Sequence, residues 1–103
     1  MTRVQVSLWI PGTAPMPELI QLIQDVEAAG FDGAGILDSQ LLCRDTFVTM
    51  ALASAHTSGL TLFPAVTNPL TRHASVLASA IQTVEEIAPG RISASVAGFR
   101  PIV

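Results

Sequence analysis

The sequence contains no lysine and no tyrosine, has one cysteine and one tryptophan, and only 13% of its 103 residues are charged. A single cysteine excludes a disulfide within the chain, and Cys43 is expected to be a buried, reduced thiol in a cytoplasmic protein rather than a nucleophile. Five arginines scattered through a chain of net charge -3 offer no basic stripe for a phosphate backbone, so nucleic acid is excluded as a partner. Residues 46–71 carry no Asp, Glu, Lys or Arg, a stretch long enough for the roughly 20 residues of a membrane span. However, His56-Thr57-Ser58-Gly59 interrupts it, and Pro64, Asn68 and Pro69 break it again, leaving a helix-length and a strand-length piece and no membrane segment. The apolar start up to Trp9 is too short, and ends too soon at Pro11-Gly12, for a secretory signal.

Half of the residues are hydrophobic and the mean hydropathy is +0.53. Small domains have the largest surface for their core and the greatest need of polar residues. So apolar a chain is expected to have much of its surface covered, by further chain or by self-association.

Gly30, Gly59 and Gly90 each close a helix-like stretch and precede a strand-like one, at about the 30-residue spacing of a βα unit. The first strand is read at Arg3–Trp9, and its helix has Leu19, Leu22, Ile23 and Val26 on one face, with Pro17 and Glu18 in the first turn. A second strand at Phe31–Leu37 leads to a helix capped by Asp45 that buries Val48, Ala51, Leu52 and Ala55. A third at Leu60–Val66 contains Pro64, whose missing N–H should interrupt a ladder. Its helix begins between Thr71 and Ala74 and buries Leu77, Ala80, Ile81 and Val84. A fourth strand is read at Arg91–Val96. Strands alternating with such helices predict an α/β fold with a parallel sheet. Periodicity alone leaves two architectures open, a doubly wound sheet and the first half of a (β/α)8 barrel, four strands and three helices over residues 1–103.

In both architectures ligands bind beyond the carboxyl ends of the strands. This selects Trp9-Ile10-Pro11-Gly12, Asp38-Ser39-Gln40, Thr67-Asn68-Pro69 and Ala97-Gly98-Phe99. Asp38 delivers a carboxylate there that can accept a hydrogen bond from a ligand hydroxyl or ring nitrogen, or else cap a neighbouring loop. Thr67 and Asn68 offer a hydroxyl and an amide. The third helix start with Arg72 either holds a phosphate or is a simple Thr71 cap beside a solvated charge. His73 reads as structural, and His56 lies at the far end of its helix. No residue is spaced for catalytic or metal-binding work, and no phosphate loop or nucleophile elbow occurs.

The runs Glu27-Ala28-Ala29-Gly30-Phe31-Asp32, Asp38-Ser39-Gln40, Arg44-Asp45-Thr46-Phe47-Val48-Thr49 and Ala65-Val66-Thr67-Asn68-Pro69-Leu70-Thr71-Arg72-His73 resemble the luciferase-like oxidoreductases. Within them they resemble the coenzyme F420-dependent reductases similar to methylenetetrahydromethanopterin reductase, the last run being the specific one. The resemblance implies a TIM (β/α)8 barrel, with F420 or alternatively FMN as cofactor, and hydride transfer to or from a small organic substrate or, with FMN, monooxygenation. It implies that Asp38, Ala65, Val66 and Asn68 bind the cofactor, with a non-prolyl cis peptide at Ala65-Val66 backing its ring. Ser95-Val96-Ala97-Gly98-Phe99-Arg100 departs from the family's Gly-x-Gly turn after the fourth strand, which puts binding of the cofactor tail there in doubt. The chain is therefore expected to be the amino-terminal part of such an enzyme, inactive alone, or a truncated product without catalytic role.

Overall fold

A computed structural model describes residues 4–39, 41–67 and 70–93. The element order is β1 (Ser7–Ile10), α1 (Met16–Ala28), β2 (Gly33–Ile36), α2 (Thr46–His56), β3 (Thr61–Pro64) and α3 (Ala74–Ile87). All described pairings are parallel, in the order β1-β2-β3, with Ser7 in register with Gly33 and Gly33 with Thr61. Of the expected fourth strand, Ile92 forms a parallel bridge to Leu62 on the far side of β3, and its residues beyond Ser93 lie outside the described ones. Strands laid down in sequence order, each beside its predecessor, are the arrangement of a barrel wall, because a doubly wound sheet reverses direction at a switch point.

One face of this sheet, carrying Ile10, Ala34, Ile36 and Leu62, is buried against the helices. The other face carries Ser7, Trp9, Gly33, Gly35, Thr61 and Phe63, alternate residues by the two-residue period of a strand. Trp9 on that face is 60% exposed. β1 therefore runs one residue past its expected end, and Trp9 and Ile10 belong to the sheet rather than to the loop after it.

The first helix starts at Met16 with Pro17 and Glu18 in its opening turn, as its sequence predicts. It buries Leu19, Ile20, Ile23 and Val26, whereas Leu22, expected inside, is exposed. Helix α2 differs more. Asp45 caps it, its carboxylate accepting from the Phe47 and Val48 amides at 3.0 and 2.9 Å. But Val48, Leu52 and Ala55 are exposed and Ala51 only half-buried, while Thr46, Phe47, Thr49, Met50, Ala53 and Ser54 face the core. The physical reason is that Thr46 and Thr49 satisfy their own hydroxyls, donating to the carbonyls of Ile36 (3.1 Å) and Asp45 (2.8 Å), so these two threonines occupy a buried face at small cost, whereas the buried Ser54 hydroxyl finds no partner among the described residues. In α3, Leu77 and Val84 are buried and Ala80 and Ile81 pack partly against the core. Its cap is His73, not Thr71: His73 Nδ1 accepts from the Ser75 amide at 3.2 Å. Cys43, expected buried, is partly exposed.

Gly30 and Gly90 end the first and third helical units with φ of 94° and 77°, the left-handed conformation in which glycine carries no Cβ penalty. Gly59 closes the second unit without it. There the chain is held by Glu27 at the end of α1, whose carboxylate accepts from the amides of Ser58, Gly59 and Leu60 at 3.0, 2.8 and 2.9 Å. Partial burial opposes the charge, but these three amides, with help from Arg91, outweigh it and hold the carboxyl below its ordinary range. Arg91 in turn donates to the carbonyls of Ser54 and Leu60 and to Thr57 Oγ1.

Pro64 closes β3 in register with Ile36, and the chain continues the ladder past it, the Ala65 amide donating to the Ile36 carbonyl at 2.8 Å. Leu62 pairs on the opposite side, donating to Arg91 and accepting from Ser93. By alternation the donor missing at Pro64 also belongs to the side facing Arg91–Ser93, so the proline leaves the β2–β3 ladder intact. No helix among the described residues is long and apolar enough to cross a membrane.

Candidate functional site

At the carboxyl ends of the strands, two arginines lace successive connections together. Arg44, on the β2–α2 connection, donates from its backbone to the Gly12 carbonyl at 2.8 Å and from its guanidinium to the Thr13 carbonyl at 2.7 Å. Arg72, just before α3, reaches back in the same sense. One terminal nitrogen donates to Asp38 Oδ2 and to Thr67 Oγ1, the latter at 3.2 Å, and the other donates to Asp45 Oδ1 at 2.8 Å. Its guanidinium carbon lies 4.8 Å from the centre of the Phe47 ring, a cation–π contact.

This network corrects the expectation of a solvated Arg72 or one presented to phosphate. The Arg72 side chain is only 12% exposed and Asp38 only 2%, and the guanidinium is engaged by two carboxylates. Burial works against the Arg72 charge, yet the hydrogen bonds and attraction of Asp38 and Asp45 prevail and raise its pKa further. Asp45 is likewise desolvated, but the Val48 and Phe47 amides and Arg72 hold its carboxyl below the ordinary range. Thus Asp45 serves both as helix cap and as ion-pair partner. The sequence signal was available only in part, since Asp38 and Arg72 are 34 residues apart.

Of the residues singled out from sequence, the structure brings Asp38, Ala65, Val66 and Thr67 to one end of the sheet. Ala65 and Thr67 are buried and Val66 half-buried, and the peptide bond between Ala65 and Val66 is cis, as the resemblance implied. Asn68 and the segment Ala97-Gly98-Phe99 lie outside the described residues.

Beneath this rim the Phe63 ring lies across β2, where Gly33 and Gly35 carry no side chains. A Cβ on Gly35 would stand 2.6 Å from Phe63 Cε2 and 3.0 Å from the Ala65 Cβ. The result is an apolar floor of Phe63 and Ala65 beside a rim of carboxylate and hydroxyl.

The comparisons agree with this architecture. The chain is 34% identical over 77 residues, 75% of its length and 23% of the relative's, to 5,10-methylenetetrahydromethanopterin reductase of Methanolobus tindarius. The structure matches coenzyme F420-dependent tetrahydromethanopterin reductase from Methanopyrus kandleri with a TM-score of 0.86 and 29% identity, over 92% of this chain and 27% of that one. It shares the fold of an F420-dependent secondary alcohol dehydrogenase, with a TM-score of 0.75, 16% identity, and coverage of 95% of this chain and 36% of that one. The chain thus spans about a quarter of the length of the reductases it matches, and the three parallel units are part of the TIM (β/α)8 barrel. A sequence profile of the luciferase-like monooxygenases matches residues 1–97, and the chain belongs to that family.

Proposed function

We propose that this chain supplies the amino-terminal wall of a coenzyme F420 site in an oxidoreductase. When bound, the deazaflavin would accept or give up a hydride in exchange with a small organic substrate. Asp38 would accept a hydrogen bond from the ring region, Ala65 and Val66 would lie behind the ring, and Asn68 would reach the ring or its side chain. The observation that carries the reading is the convergence of Asp38 and Ala65–Thr67 at one strand end, over the Phe63 floor, in a chain akin to an F420-dependent reductase.

The chain's own groups would position and shield the ring. The Asp38 carboxylate, paired with Arg72, would offer acceptor oxygens and so favour a ligand edge that presents N–H or O–H. Phe63 and Ala65 exclude water from one ring face, which strengthens the polar contacts at the rim. We further propose that the 103 residues by themselves do not turn substrate over, because hydride transfer needs donor and acceptor carbons fixed within roughly 3–3.5 Å, and this chain offers one side of such a site. Cytoplasmic residence and self-association through the Trp9 face belong to the same reading.

A second reading is an FMN site on the same scaffold, favoured by the family to which the chain belongs. Titration of the purified chain with F420 and with FMN, followed by the fluorescence of each cofactor, separates the two. The F420 reading expects saturable binding of F420 tighter than that of FMN. Preference for FMN would overturn it.

A further inference from the structure

We infer that Arg72 is a positioning residue for this site, fixing the Asp38 carboxylate and the 65–67 segment in one arrangement; the inference rests on the F420 reading above. The geometry is specific to a guanidinium. Its planar fork addresses three oxygens on three different pieces of chain: Asp38 after β2, Asp45 at the start of α2, and Thr67 after β3. A point-charge ammonium on a flexible stem neutralises a carboxylate but does not hold two carboxylates and a hydroxyl at set angles. Phe47, itself on α2, supports the guanidinium from the side.

The electrostatics point the same way. The Asp38 side chain is almost wholly removed from water, and the Arg72 guanidinium is paired with it there, which fixes the carboxylate in one orientation. Arg72 comes from the connection that also carries residues 65–67. Arg72 itself donates inward to the protein, so it acts through Asp38 and Thr67 and not on the ligand.

The test compares F420 affinity, read by cofactor fluorescence, for the wild-type chain, Arg72→Gln, Arg72→Lys and Arg91→Gln. Arg91 is a control: it makes a similar number of bonds, but at the opposite end of the strands. Amide hydrogen exchange of peptides covering 61–67 is measured on the same samples. Arg72→Gln is expected to weaken F420 binding by about tenfold or more, the loss of a charged hydrogen bond's worth of positioning. Arg72→Lys should recover only part of this, with faster exchange at 65–67 in both. Arg91→Gln should lower the melting temperature yet leave the affinity within about twofold of wild type. If wild type binds F420 and Arg72→Lys binds equally well with unchanged exchange, the positioning role is overturned while the cofactor reading stands. If wild type does not bind F420 at all, the cofactor reading falls and takes the positioning role with it.

Discussion

The ring of Phe63 lies against Gly35 of the neighbouring strand so closely that a Cβ on Gly35 would meet Phe63 Cε2 at 2.6 Å. Glycine is required there for space, since its φ is not in the left-handed region. Gly35→Ala is expected to destabilise the chain by about 1–3 kcal/mol through overpacking. Phe63→Leu should relieve part of this in the double variant, because the two residues are in contact. Urea denaturation of the single and double variants checks it; equal midpoints for wild type and Gly35→Ala would refute the close packing.

Asp45 has two roles that substitution can separate. Asparagine caps a helix about as well as aspartate, so Asp45→Asn should retain the bonds to the Phe47 and Val48 amides and lose only the half-exposed pair with Arg72. A cost of about 0.2–1 kcal/mol is expected. Asp45→Ala removes the cap as well and should cost a further 0.5–2 kcal/mol or so. Equal losses for both variants, measured by thermal unfolding, would contradict this division.

The α/β alternation, the starts of all three helices, the Asp45 cap and the position of Asp38 were legible in the sequence, because each follows from local spacing or capping chemistry. The buried face of α2 was not. Apolar residues line both sides of that helix, and the side that wins includes Thr46 and Thr49, whose hydroxyls are satisfied by nearby carbonyls. The Arg72 network was also hidden. A lone arginine before a helix reads as a solvated charge, and nothing in the linear sequence says that two aspartates from another βα unit converge on it. The choice of barrel over doubly wound sheet needed the pairing order, which periodicity does not contain.

Glu27 should make stability depend on pH at the acid end. Its folded pKa lies below the ordinary value of 4.5, so the stabilisation it provides is fully present above about that pH and is lost as pH falls through the folded pKa. Glu27→Gln should therefore be less stable than wild type near neutrality, by on the order of 1 kcal/mol given its partial exposure. The gap should close as the pH drops below 4.5. A gap that widened on acidification would show that the three amide bonds do not hold the carboxylate form.

The Trp9 face bears on association. Trp9 is 60% exposed on the sheet face turned away from the helices. Light scattering coupled to size exclusion is expected to show dimers or larger species, shifting toward monomer in Trp9→Ser. A sharp monomer for the wild type would contradict self-association.

The most direct test of the cofactor site is to map where F420 touches the chain. In an amide correlation NMR titration of the 15N-labelled protein, saturable shifts are expected at Asp38, Ala65, Val66 and Thr67. No change is expected at Glu27, Ser58 and Gly59 at the other end of the strands, and Asp38→Ala should weaken the response. Shifts centred on the Glu27 end, or shifts at the strand ends that Asp38→Ala leaves untouched, would contradict it.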